Sequence, residues 1–174
     1  MKALRWLYPS LVGLLLGLLQ TGLFFQLSST LSSGIRTFLM ITVCWLLGSV
    51  IGIRVARQTS FHLNRFVLLA LVGYFGCVLL LQIAPYNTQL WFVYAILIIL
   101  SGLYPGVFFV RLSDHYRARD LFFRENNGFI LGLVTGTFAI LLLGRAALWL
   151  LPVLLAVLVM ACTNRRLIGE PASL

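Results

Sequence analysis

Residues 111–128 read RLSDHYRARDLFFRENNG and hold seven of the chain's seventeen charged residues. On either side the sequence is almost uninterruptedly apolar, back to Leu90 and on to Leu143. Of the 174 residues, 61% are hydrophobic and 10% charged, with a mean hydropathy of +1.03. A soluble domain carries about a quarter charged residues, so composition alone places this chain in a membrane. The apolar runs are roughly 20 residues long, enough to cross a hydrocarbon core of about 30 Å. No segment is long and polar enough to form a soluble domain.

Working outward from that stretch, the runs resolve into six expected helices over 9–27, 35–55, 66–84, 90–110, 127–143 and 146–161. The expected fold is an all-α integral membrane protein: a single six-transmembrane-helix domain over 1–174. Breaks are expected at 28–34, 57–65, 85–89, 111–126 and 144–145. Lys2 and Arg5 before a long apolar run imitate a signal peptide. The run is long for such a segment, so it is read as a first helix.

Lys and Arg retained on the cytoplasmic side set orientation. With the N-terminus inside, the inner segments hold Lys2, Arg5, Arg54, Arg57, Arg65, Arg111, Arg117, Arg119, Arg124, Arg165 and Arg166, and the outer side only Arg36 and Arg145. Eleven against two gives an N-in, C-in topology, with residues 111–126 as the main cytoplasmic loop. That loop faces anionic lipid headgroups, which attract it by about 1 kcal/mol per basic residue near the surface. The net charge of +9 therefore requires no nucleic acid.

Small residues recur every fourth position: Gly48 and Gly52 in the second helix, Gly102 and Gly106 in the fourth, and Gly128, Gly132 and Gly136 in the fifth. Four residues advance only about 40° around a helix, so each set forms a stripe where another backbone can approach. These stripes are expected to pack within the chain's own bundle, the alternative being a face between chains. Pro105 and Pro152 should kink their helices. Gln20, Gln26 and Gln82 are the glutamines within spans. They read as interhelical hydrogen-bonding groups or, more sharply, as the lining of a polar path. Glu125 falls on the arc of the fifth-helix glycines and is either a solvated helix-end acid or half of a latch to Arg54 or Arg57.

The motifs of chemistry are missing from the sequence. Cys44, Cys77 and Cys162 lack metal or redox spacing and read as packing residues. His62 and His115 fall in loops, and Asp114-His115 has no nucleophile or metal cluster beside it. There is no phosphate loop, dinucleotide fingerprint or HExxH. No catalytic, metal or cofactor residue is assigned.

The order of Gly48-Ser-Val-Ile-Gly52-Ile-Arg54, then Ser101-Gly-Leu-Tyr-Pro-Gly106 with Arg111, then Arg124-Glu-Asn-Asn-Gly128 resembles the multi-pass membrane portion of bacterial spermidine-synthase-like proteins. That portion is itself similar to half of a major-facilitator-type bundle. The resemblance implies a helix-bundle fold in a bacterial inner membrane. Those proteins carry an aminopropyltransferase-like domain, whereas Cys162 is followed here by TNRRLIGEPASL, too short for one. No enzyme activity is therefore carried over. The expected function is a non-enzymatic membrane module, a subunit packing against a partner membrane protein or its own copy. The alternative is a small transporter or half-transporter, since the first three helices begin inside and the last three begin outside, which would allow an inverted repeat.

Overall fold

The structure, a computed structural model, describes residues 2–32, 34–59 and 61–167, the side chains of 2–5 and 165–167 excepted. The side chains of Lys2, Arg5, Arg165 and Arg166 thus lie outside the described residues. Six helices follow in order: α1 (Lys2–Thr30), α2 (Ile35–Gln58), α3 (Leu63–Ile83), α4 (Trp91–Leu112), α5 (Ala118–Leu143) and α6 (Arg145–Leu167). A single 3₁₀ turn, Thr88–Leu90, precedes α4, and no strand occurs among the described residues. All six helices are long and apolar enough to cross a membrane.

The largest departure from expectation is at the charged stretch. α5 begins at Ala118 rather than near 127, so the loop shrinks to residues 113–117. Charge interrupts hydropathy but not helicity. Leu, Arg and Glu are good helix formers, and Asp120 in the first turn of α5 complements the helix dipole. Backbone N–H groups of Asp120 and Leu121 both reach the Arg117 carbonyl, at 3.0 Å. For the same reason α1 extends back through its basic start. The prolines stay within continuous helices, Pro9 in α1, Pro105 in α4 and Pro152 in α6.

The link between α5 and α6 is one residue. Gly144 adopts φ 65 and ψ −155, a combination essentially confined to glycine. Its N–H caps α5 by bonding the Ile140 carbonyl at 2.9 Å. The α3–α4 link also turns through a positive φ, at Tyr86 (φ 61). Tyr86 N–H donates to the Thr30 carbonyl at the end of α1 (3.1 Å).

The chain forms two compact units: α1 up to Leu18 with α5 and α6, and the remainder of α1 with α2, α3 and α4. In the first, Tyr8, Leu15, Leu121, Ala156 and Val159 are buried. Tyr8 and Thr163 are joined through their hydroxyls at 2.7 Å. Thr163 donates to the Val159 carbonyl at 2.8 Å, so the proton between the two hydroxyls comes from Tyr8. In the second unit the core is more aromatic, with Trp45, Tyr74, Tyr94, Tyr104 and Phe108 buried.

Candidate functional site

Glycine determines how closely the helices approach in each unit. In the first, Gly128 and Gly132 of α5 lie against α1. A methyl group on Gly128 would lie 2.8 Å from the Ser10 Cα, and one on Gly132 would lie 3.1 Å from the Gly17 Cα. The contact is reciprocal, since a methyl on Gly13 would lie 2.8 Å from the Phe129 nitrogen and one on Gly17 2.9 Å from the Leu133 nitrogen. Gly136 is buried on the same face of α5. A methyl carbon is essentially never found under 3.0 Å from another heavy atom, so a side chain at these positions would force the helices to shift apart.

The second unit repeats this device between α2 and α4. A methyl on Gly48 would lie 2.9 Å from the Gly102 Cα, and one on Gly106 2.8 Å from the Ile53 nitrogen. Gly52 meets the backbone of Leu103. Ser49 adds polarity to the contact: its hydroxyl lies within hydrogen-bonding distance of the Trp45 carbonyl (3.1 Å) and of the Gly102 carbonyl on α4 (3.2 Å). Gly73 of α3 lies against α4 as well, a methyl there falling 2.7 Å from the Ser101 nitrogen. Three glycines of these seams, Gly13, Gly17 and Gly73, escaped the sequence reading. The four-residue spacing of Gly13 and Gly17 was legible, whereas Gly73, followed by another glycine only three residues on, lacks that spacing.

The polar candidates are dispersed. Gln26 donates through Nε2 to the Tyr74 hydroxyl at 2.8 Å, joining α1 to α3. Gln20 is half-buried on α1, and Gln82 is exposed near the end of α3. Glu125 is 8% exposed, and its backbone carbonyl lies against Gly13. Arg54 and Arg57 are exposed near the end of α2. Arg111 anchors the end of α4 by donating to the Thr59 carbonyl after α2.

Near the start of α5, the Arg124 guanidinium sits over the Trp6 ring, 4.8 Å from its centroid, a favourable placement for a cation. Arg65 and Phe61 make a similar pair at 5.1 Å. Asp114 and His115 are exposed in the short α4–α5 loop, and His62 precedes α3. Among the described residues no three His, Cys, Asp or Glu side chains gather as metal ligands. The three cysteines are free and buried.

The two faces of α5 are sharply different. Leu121, Glu125, Gly128, Gly132, Gly136 and Ala139 are buried. Phe123, Ile130, Val134, Phe138 and Leu141 are exposed, as are Asn126 and Asn127. No protein-family model, curated protein or solved structure matches the chain.

Proposed function

We propose that this chain is a non-enzymatic multi-pass membrane subunit that packs against a partner membrane protein or a second copy of itself. One observation carries the reading. α5 uses its glycine face within its own unit, while the opposite face, from Phe123 to Leu141, stays exposed and includes uncompensated amides. In lipid, close packing and interhelical hydrogen bonds replace hydrophobic association, so such a face suits a further helix. The termini and the short α4–α5 loop are assigned to the cytoplasmic side of a bacterial inner membrane. There the clustered arginines meet anionic headgroups. The likeness to the membrane portion of spermidine-synthase-like proteins belongs to this reading, without any enzymatic step. Purification from native membranes in a mild detergent tests it: a stoichiometric partner or a defined oligomer is expected. A monomer free of any companion would overturn it.

A second reading, a small transporter, draws on the interior of the second unit. The hydroxyls of Thr21, Thr37, Tyr94 and Ser101 are buried there without a hydrogen-bond partner among the described residues. Buried hydroxyls of this kind cost roughly 1–3 kcal/mol each unless something bonds them, and a polar solute crossing between α1, α2 and α4, which carry these four hydroxyls, would do so. Uptake of a small polar solute into vesicles holding this chain alone would favour this reading over the first.

A further inference from the structure

α5 carries its polarity on the side away from its glycines. At 100° per residue, Phe123, Ile130, Val134, Phe138 and Leu141 all fall within about 60° of Asn127, and all are exposed. Asn127 is therefore the amide at the centre of an apolar stripe. Neither it nor Asn126 has a hydrogen-bond partner among the described residues. At 1.5 Å per residue, Asn127 stands about 24 Å from Leu143 along the axis. In a hydrocarbon core of about 30 Å that begins at Leu143, it sits roughly 6 Å inside the opposite edge, with Phe123 at that edge. Tilt would take the amide deeper. Acyl chains offer no donor or acceptor to a carboxamide with two donors and an acceptor, and its side chain is too short to reach far toward headgroups.

A second copy inserted in the same orientation brings its own Asn127 to the same depth. Across a two-fold axis along the membrane normal, each carboxamide oxygen can accept from the other copy's amide, because a carboxamide is its own complement. We propose that the exposed face of α5, with Asn127 as its hydrogen-bonding point, is the interface between two copies of this chain. The proposal rests on the membrane-subunit reading and names its partner.

The experiment uses the full chain in isolated membranes, with Val134→Cys as reporter, since Val134 is exposed on the stripe and the three native cysteines are buried. Mild copper-phenanthroline oxidation should give a disulfide-linked dimer from Val134→Cys and little from Leu154→Cys on the exposed face of α6. Adding Asn127→Leu should reduce the dimer roughly 8- to 300-fold, the range for the two interhelical hydrogen bonds that the paired carboxamides make, and Asn127→Gln should retain most of it. Equal cross-linking at Val134→Cys and Leu154→Cys, or a dimer indifferent to Asn127→Leu, would overturn the proposal. An adduct with a different protein in place of the dimer would also overturn it while leaving the subunit reading standing. Absence of any adduct together with absence of any co-purifying protein would sink both.

Discussion

Gly132 of α5 rests on Gly17 of α1: a methyl group built on the first would lie 3.1 Å from the Cα of the second. Helices approach this closely only where at least one of them carries no side chain at the point of contact. Dispersion falls steeply with separation, so the contact depends on that absence. Gly132→Leu should part α1 from α5 and destabilise by roughly 3 kcal/mol, the upper end for overpacking. Leu131, its neighbour, is 56% exposed, and Leu131→Ala should change stability by no more than about 0.5 kcal/mol. Thermal melting of both variants in detergent checks the contrast, and equal shifts would refute it.

The one-residue link supplies a second contrast. Gly144 has φ 65 and open space around it, so Gly144→Ala meets backbone strain without a clash. A loss of about 1–3 kcal/mol is expected. Gly34 before α2 has φ −76 and ψ 163, ordinary for any residue, so Gly34→Ala should be nearly silent. If the two substitutions shift the melting temperature alike, the Gly144 conformation is not what holds the α5–α6 turn.

The Gln26–Tyr74 hydrogen bond (2.8 Å) should be worth about 0.6 kcal/mol, the average for such bonds between membrane helices, and no more than about 1.7 kcal/mol. Gln26→Leu, Tyr74→Phe and the double variant form a cycle whose coupling reports it. Each single change removes this bond from the remaining side chain, so removing both should cost less than the two losses added together. A coupling near zero would mean that the two side chains do not depend on each other.

How much of this was legible in the sequence differs by feature. The six apolar runs gave six helices because in lipid the backbone must bond within each span. Helix ends were less legible, and the error was largest at Ala118–Asn126. There, charge marks where a hydrophobic window stops but says nothing of whether the backbone keeps turning. The glycine stripes pointed to close contacts without naming partners, since spacing identifies a face and not what lies against it. That Gly128 meets Ser10 while Gly48 meets Gly102 depends on tertiary arrangement. Asn127 was legible only as part of a polar cluster. Its place opposite the glycines became meaningful once α5 was seen to run continuously through residues 118–143.

Orientation is the last prediction. Charged residues bracket the helices along the chain: Arg36 follows the start of α2 and Arg145 opens α6, whereas Arg54 and Arg57 lie near the end of α2, Arg65 near the start of α3, Arg111 near the end of α4, and Arg117, Arg119 and Arg124 at or near the start of α5. Translocating a cluster of that size is disfavoured, and Lys and Arg in short loops decide topology. The links are short enough for the rule to apply, the α4–α5 loop being only residues 113–117. Reporter fusions after Leu31, Thr88 and Arg145 should therefore read as external, and fusions after Thr59 and Tyr116 as cytoplasmic. Because each helix reverses the next, the five sites must agree with one another. Reversal at any two of them would mean that the basic cluster does not set the orientation of this chain.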